Sequence, residues 1–380
     1  MDLTNNSDNT KKIKFLDVFS GIGGFKIALE NVGFEGIGFC DNDKYAVQLY
    51  LAYHSKDNEV YYDDVRTIDT NQLPDFDILC AGFPCQSFSI AGKRRGFDDT
   101  RGTLFFEVAR ILSDKKPKYF ILENVKGLLN HDSGRTFRTI IKVLTDLGYS
   151  VQWQVLNSKF FGVPQNRERV YIVGCLGTEC IGKIFPITGI AEENISEIRK
   201  HPLSTKTSQG DRVYETDGLS TCLTSNGGGL GGKTGLYFIN KPRFDKYKAS
   251  NIVETLKVGG DTPLMRIKNG TKKGYDEATI GDGINLAFPN SKTRRGRVGK
   301  QVSQTLDTHC NMGTIDDDFR IRRLTPTECF RLQGFPDAMV QQARELGISD
   351  SQLYKMAGNA VTVNVAQAVA QKIWEVEYGS

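Results

Sequence analysis

The sequence predicts an α/β protein: a doubly wound, mostly parallel sheet, with a second, smaller domain that is mostly β or irregular. Three observations carry this. Short apolar runs alternate with helical patterns from Lys14 to about Val173, the grammar of strands connected by crossover helices. A Gly-rich turn, "SGIGG", follows the first apolar run directly and precedes a helical pattern, as in sheets that bind a ligand at their carboxyl edge. Beyond residue 180 the chain turns Gly-rich, Thr-rich and basic, with no strong helical period until "TPTECFRLQ".

In order, "IKFLDVFS" reads as the first strand and "GFKIALENVG" as a helix stopped by Gly33. "EGIGFCDND" is a second strand, "KYAVQLYLAYH" a second helix, "YDDVRT" the end of a weaker third strand and "FDILCAGF" a buried strand. "TLFFEVARILSDKKP" is a helix ended by Pro117, followed by the strand "KYFILENV" and the helix "RTFRTIIKVLTDLGY". "VQWQVLNS" and "ERVYIVGCL" are two later strands, and "NAVTVNVAQAVAQKIWEVE" reads as a C-terminal helix that rejoins the first lobe. Residues 12-180 plus 355-380 form the expected catalytic domain, and 181-354 the second. Within the latter, residues 210-226 and 296-311 echo each other, either as a duplication or as a chance match of two hairpin patterns.

At 39% hydrophobic and 25% charged, the 380-residue chain has a soluble composition, and no apolar run approaches membrane-spanning length. The polar N-terminal stretch lacks the apolar core of a secretory signal. Eight cysteines without a C-x-x-C pair and four scattered histidines recommend neither a disulfide framework nor a metal site. The net charge of +4 is small, but "SKTRRGRVGK" holds five basic residues between Lys292 and Lys300 and "GKRRG" clusters Lys93, Arg94 and Arg95. Either alone reads as a solvated loop; together they favour a polyanionic substrate.

The chemistry-bearing residues fall at strand ends. In "DVFSGIGGF" the backbone N–H groups of a Gly-rich turn can face a ligand, but Lys26 stands where a dinucleotide fingerprint needs a small residue, so a nucleoside without pyrophosphate is the better guest. Asp41 closes the second strand, placed to accept from ribose hydroxyls, and Asp64 is placed to accept from an adenine amino group; each acid alone also reads as a cap. Cys80 lies inside a buried strand, whereas Cys85 follows Pro84 at the carboxyl edge of the sheet. A thiol there becomes a nucleophile where neighbouring N–H groups and cations favour thiolate. Glu123 ends another strand on the same edge, suited to hydrogen bonding an electron-poor ring under attack. Arg167 and Arg169 are donors for a phosphate or a ring carbonyl, or equally ion-pair partners of an acid such as Glu168.

The series "FSGIGG", "DNDKYA", "DDVR", "GFPCQSFS", "ENV", "QNRERV", "RRLTPTECFRLQGFPD" and "YKMAGNAVTVNV" resembles, in order, the motifs of the DNA (cytosine-5) methyltransferase family, with wording especially similar to its HhaI-type bacterial enzymes. The resemblance implies a Rossmann-like domain that binds S-adenosylmethionine, without metal, behind Phe19, Gly21, Ile22, Gly23 and Gly24. Asp41 and Asn42 would meet the ribose and its surroundings, Asp64 and Val65 the adenine, and Pro84, Leu104, Asn359, Ala360 and Val361 the rest. Asn42 departs from the tryptophan that the family often carries there.

By the same resemblance, Cys85 adds to C6 of a flipped-out cytosine in double-stranded DNA, Glu123 engages N3 and the exocyclic amine, and Arg169 steadies O2, with Arg167 beside it. DNA contacts would come from Gln86, Ser89, Lys93, Arg94 and Arg95 in the loop closing over the base. In the target-recognition region they would come from Gln209, Arg212, Thr224, Asn226 and Gly228, and Arg295 and Arg297 would extend the grip. The resemblance further implies a monomeric, cytoplasmic enzyme of bacterial or phage origin, with a restriction endonuclease acting on the same site as a possible companion. Two other readings compete: a tRNA cytosine-5 methyltransferase on the same fold, and a catalytically dead DNA-binding relative.

Overall fold

The computed structural model of the protein describes residues 12–54, 59–84, 104–189, 253–257, 264–288, 291, 293–316 and 321–379. They fall into two units, one from the described parts of 1–155, 169–187 and 366–380, the other from those of 156–168 and 188–365. These bounds differ from a single division at 180 and 355: the chain passes between the units at 155, 168, 187 and 365.

The first unit is built on a seven-stranded sheet in the order β3-β2-β1-β4-β5-β8-β6. Its strands are β1 (Lys14–Val18), β2 (Glu35–Cys40), β3 (Val60–Tyr62), β4 (Ile78–Ala81), β5 (Tyr119–Val125), β6 (Tyr149–Asn157) and β8 (Glu168–Leu176), with β7 (Gln165–Asn166) outside the sheet. Neighbours from β3 through β5 pair in parallel. Helices α1 (Gly24–Glu30), α2 (Lys44–His54), α3 (Leu104–Lys115) and α4 (Arg135–Asp146) provide connections, as parallel pairing requires. Because helices cover such sheets, β1 and β4 are buried on both faces, and Leu16, Val18, Leu79 and Ala81 sink into one core with Phe105, Val108, Phe120 and Ile172.

β8 runs antiparallel to β5, with Glu123 opposite Tyr171 and Val125 opposite Arg169. Gly174 lies opposite Phe120 in this ladder, and a Cβ on it would collide with the Phe120 ring. At the other end of β5, Tyr119 donates its hydroxyl to Glu377 at 2.6 Å, and Lys118 pairs with the same carboxylate. Glu377 belongs to α8 (Val363–Tyr378), so the C-terminal helix does rejoin the first unit.

Among its described residues, the second unit carries small sheets and three α-helices that lie wholly within it. A three-stranded sheet joins β11 (Tyr275–Ala278), β10 (Leu264–Lys268) and β9 (Val253–Lys257); a four-stranded one joins β13 (Val298–Gly299), β12 (Gly283–Asn285), β15 (Met312–Ile315) and β16 (Ile321–Arg323). β14 (Ser303–Gln304) pairs in parallel with β7. Met265, Ile267, Ala278, Ile284, Leu286 and Ile315 form the apolar centre. The helices are α5 (Pro326–Leu332), α6 (Asp337–Glu345) and α7 (Asp350–Asn359), more helix than the composition suggested. α5 starts at a Thr325–Glu328 capping box, which satisfies two otherwise orphaned N–H groups. The single C-terminal helix expected from Asn359 onward is broken: Asn359 ends α7, and α8 begins at Val363.

Arg297 corrects a second expectation. Instead of facing DNA it is wholly buried, and its guanidinium donates to the carbonyls of Asn285, Ala287 and Phe288. A run of basic residues reads as a solvated face, but here the carbonyls at the end of β12 and just beyond it take this guanidinium's donors. Arg295, two residues earlier, is exposed as expected.

Gly174→Ala should lower stability by about 1–3 kcal/mol through overpacking against Phe120. Urea unfolding of the two proteins measures this, and a midpoint unchanged from the parent would contradict the packing described.

Candidate functional site

The carboxyl ends of β2, β1, β4 and β5 stand side by side, since these strands are neighbours in the sheet and run in parallel. Strand spacing of about 4.8 Å sets how far apart the residues just beyond them can lie. The resulting edge brings together Phe19–Gly24 after β1, Asp41 and Asn42 after β2, Phe83 and Pro84 after β4, and Glu123 near the end of β5. Cys85 lies outside the described residues, as do Gln86, Ser89, Lys93, Arg94, Arg95, Gln209, Arg212, Thr224, Asn226 and Gly228.

The Gly-rich turn is held tightly from below and left open above. Phe19, Gly21 and Gly23 all have positive φ, the last at +84° where it caps α1. A Cβ on Gly23 would stand 2.6 Å from His54 Nε2, whereas one on Gly21 would meet no atom within 4 Å. Gly23 is therefore needed for packing as well as for its backbone, and Gly21 keeps the upper face clear. His54, buried at the end of α2, places Nε2 3.0 Å from the Ile22 carbonyl, which calls for the Nε2–H tautomer. The Ser20 hydroxyl is buried in the same turn with no protein partner.

Asp41 ties the turn to β2. One carboxylate oxygen accepts from the Gly21 N–H at 2.8 Å and the other from the Asp43 N–H at 2.8 Å. Burial raises its pKa, and these two N–H groups pull it back. A carboxylate has about four acceptor positions, so two remain for a ligand's hydroxyls. Asn42 beside it is exposed, and the hydroxyl of the half-exposed Tyr61 donates to the Asp41 carbonyl at 3.2 Å. Asp64 caps the short 3-10 turn Val65–Thr67, and its side chain accepts from Arg66, whose guanidinium holds its pKa below the ordinary range. Val65 is buried behind it, and Leu104 packs at the start of α3 against the core.

Beneath the turn lies a set of buried charges. Lys26, at the position that argued against a dinucleotide, is fully buried with its ammonium on Glu59 and, at 2.9 Å, on Glu30. Gly36 makes room for it, since a Cβ there would stand 3.2 Å from Lys26 Nζ. Asp17, the penultimate residue of β1, is also fully buried, and neither carboxylate oxygen meets a protein donor in good geometry. Burial pushes its pKa well above the ordinary 3.8; Asp41 and Glu59 push the same way, and Lys26 offsets only part. Cys80, next in the sheet to Asp17, is wholly buried with its thiol pKa driven up by burial, as an inert packing residue should be.

At β5 the site becomes polar. Arg169 Nε lies 3.1 Å from Glu123 Oε1, both side chains largely buried. The pairing follows from register: with Glu123 opposite Tyr171, Arg169 is the diagonal neighbour on the same face. Asn124, next to Glu123, donates from Nδ2 to the Phe83 carbonyl at 2.8 Å, holding the chain just before Pro84 and Cys85.

Within the second unit, Arg167 is buried and its guanidinium donates to the Gly358 carbonyl at 3.2 Å and the Ala360 carbonyl at 2.9 Å. Its contacts are those of a residue that holds the Asn359–Val361 turn, a correction to its expected place beside the reacting base. Gln333 grips the turn from another side, donating to the Ala357 carbonyl at 2.7 Å and accepting from the Thr362 hydroxyl. Gln165 donates to the Leu332 carbonyl and accepts from the Leu306 N–H. His54, Asn124, Gln165 and Gln333 had no assigned role in the sequence; the last three stand inside motif stretches, the one signal that marked them.

A sequence profile of the C-5 cytosine-specific DNA methylase family matches residues 13–375. The chain belongs to that family. Type II methyltransferase M.HpaII of Haemophilus parainfluenzae is 38% identical, over 97% of this chain and 91% of its own. M.NgoBI of Neisseria gonorrhoeae, another type II methyltransferase, is 39% identical over 93% and 91%. The orphan methyltransferase M.Rho11sI of Bacillus phage rho11s is 32% identical over 95% and 98%. Among solved structures, Entamoeba histolytica EhMeth superposes with a TM-score of 0.57 at 17% identity, covering 96% of this chain and 99% of that one, a likeness of fold alone.

The protein is thus a DNA cytosine-5 methyltransferase. S-adenosylmethionine is the methyl donor that this family uses, and the open face over Gly21, the unmet Ser20 hydroxyl and the two spare acceptor positions of Asp41 fit a nucleoside with polar substituents. Among the described residues, no group of His, Cys, Asp and Glu could hold a metal ion, and no helix is long and apolar enough to cross a membrane.

The raised pKa of Asp17 has a definite sign. The folded state holds this proton more tightly than the unfolded chain, so the contribution is most favourable below about pH 4 and is lost as pH climbs to the folded value. Asp17→Asn removes that loss, and the melting temperature of the variant minus that of the parent should rise as pH climbs above about 4. A difference that stays flat as pH climbs would show that Asp17 titrates normally.

Proposed function

We propose that the protein methylates C5 of a flipped-out cytosine within a short specific sequence of double-stranded DNA, through a covalent bond between Cys85 and C6. The observation that carries this reading is the Glu123–Arg169 pair at the sheet edge, two residues whose donors and acceptors suit one face of a pyrimidine. Asn124 supports it by fixing the carbonyl two residues before Cys85.

The Cys85 thiolate forms the Sγ–C6 bond, and the electrons of the C5–C6 double bond shift to C5 and toward N3. Glu123 hydrogen-bonds N3 and the exocyclic amine, and so supports the proton density that N3 gains as the thiolate adds. Arg169 donates to O2, where negative charge gathers, and its ion pair with Glu123 aims both side chains before the base arrives. S-adenosylmethionine supplies a methyl group on a sulfonium that leaves as a neutral thioether when C5 bonds the methyl carbon. Loss of the C5 proton to a base then restores the C5–C6 double bond and returns the electron pair of the Sγ–C6 bond to Cys85. None of this reaches a stacked base, so the cytosine leaves the duplex at a cost of about a few kcal/mol.

Phe19, Gly21–Gly24, Asp41, Asn42, Asp64, Val65, Pro84, Leu104 and Asn359–Val361 hold the cofactor in this reading, and residues 181-354 read the DNA. The type II and orphan names of the relatives support a modification role in a bacterial or phage setting; in this reading the enzyme is monomeric and cytoplasmic and acts with or without a cognate endonuclease.

Cys85→Ser should abolish tritiated methyl transfer to DNA while Cys80→Ser largely keeps it, and Glu123→Gln should lower kcat by about 100-fold or more, the scale of a lost acid. An oligonucleotide carrying 5-fluorocytosine in the target site should trap the parent as a denaturant-resistant adduct, because no C5 proton can leave. Full activity in Cys85→Ser, or absence of the adduct, rejects the covalent route.

A further inference from the structure

Phe288 is the most exposed large apolar side chain among the described residues, at 71%, and its φ of +51° lies in the left-handed region. A non-glycine residue there costs about 1–2 kcal/mol, and such strain persists only where the surroundings impose it. Here they do. The buried Arg297 donates to the carbonyls of Phe288, at 2.6 Å, and Ala287, at 3.0 Å, while the Ser291 N–H reaches the Phe288 carbonyl and the Asn285 side chain accepts from the Ala287 N–H. Two hydrogen bonds from a buried cation and two more from the turn itself hold an aromatic ring out in solvent.

The surroundings of the ring are basic. The guanidinium of Arg294 lies 5.6 Å from the ring centre, and Arg295 beside it is exposed. The Arg294 carbonyl accepts from the Gly270 N–H at 2.6 Å, which joins this segment to the turn between β10 and β11, where Lys268, Lys272 and Lys273 are exposed. A core residue would not be built this way, and a hydrophobic protein interface would not carry so many cations on its own and the adjoining turn. Nucleic-acid surfaces combine cations for phosphates with an aromatic side chain for bases.

We infer that Phe288 is a DNA-contacting aromatic residue, presented on the turn that Arg297 clamps, which seats its ring against bases of the bound duplex while Arg294, Arg295 and the lysines of the β10–β11 turn hold the phosphates. This rests on the protein acting on duplex DNA, and it gives Arg297 a positioning role in place of direct contact. The site lies outside the cofactor turn and the Glu123–Arg169 pair, so its loss affects DNA and not the methyl donor.

The test is steady-state methylation of plasmid DNA by the full-length protein and its variants. Phe288→Ala should raise the KM for DNA about fivefold or more, the scale of one lost base contact, with kcat, the KM for S-adenosylmethionine and the melting temperature close to the parent's. Phe288→Trp should keep the parent's KM. Arg295→Ala should also raise the KM for DNA and lower the slope of its salt dependence by about one, whereas Phe288→Ala leaves that slope in place. An unchanged KM in Phe288→Ala overturns the proposal, as does a parent dimer that this substitution converts to monomer, which would make the ring an interface between copies. No methylation of DNA by the parent would overturn the reading beneath it as well; methylation by the parent with an indifferent Phe288 sinks this proposal alone.

Discussion

The antiparallel register of β5 and β8 is the constraint on which the candidate catalytic edge depends. Strand side chains alternate between faces, so a shift of one residue would carry Arg169 to the opposite face from Glu123 and dissolve the pair. Nothing in the charges themselves prevents that slip. Phe120 and Gly174 do: they stand opposite each other, three residues before Glu123 and five after Arg169, and the ring occupies the space that a Cβ at position 174 would need. An apolar contact in the floor of the sheet thereby sets the geometry of a polar pair at its rim. The reversal of β8 matters equally, because only an antiparallel neighbour can bring the start of a strand, where Arg169 sits, to the end of β5.

Buried polar groups elsewhere serve the same purpose of aiming backbone. Such groups are costly unless hydrogen-bonded, and most of those described here hold a turn. Asp41 and His54 take the two sides of Gly21–Gly23; Arg167 and Gln333 take the two sides of Asn359–Val361; Arg297 takes the turn at Phe288. In each case a side chain from a distant part of the chain satisfies carbonyl or N–H groups that no helix or ladder can reach. Asp17 is the exception, a buried carboxylate with no good donor, and burial has raised its affinity for a proton accordingly.

What was legible in the sequence follows from range. The alternation of apolar runs located β1, β2, β4, β5, β6 and β8 and helices α1 to α4, because periodicity is a local consequence of one buried face. Asp41, Glu123 and Arg169 were legible as strand-end residues within motifs, and the structure does bring Glu123 and Arg169 together. The residues that brace them were not. His54 looks like the last residue of an amphipathic helix, and only the folded chain puts its ring under Gly23. Arg297 looks like one more cation in a basic run, and its burial is decided by carbonyls ten or more residues away. The direction of β8 was equally hidden, since a strand's apolar pattern is the same read either way.

The fates of Arg167 and Arg169 show how far spacing alone can mislead. Two positions apart on one regular strand, they would share a face and a role. The strand is not regular: Gln165 and Asn166 form β7, paired with β14, and a new ladder begins at Glu168, with Arg167 at the break between them. A residue between ladders is free of the alternation that governs its neighbours. Arg167 turns its guanidinium into carbonyls at the α7–α8 junction, where burial and the hydrogen-bond donors it presents make it a brace, while Arg169, two residues into β5's partner strand, is delivered to Glu123. Guanidinium donors suit either task; the place where one ladder stops and the next begins decides which arginine does which.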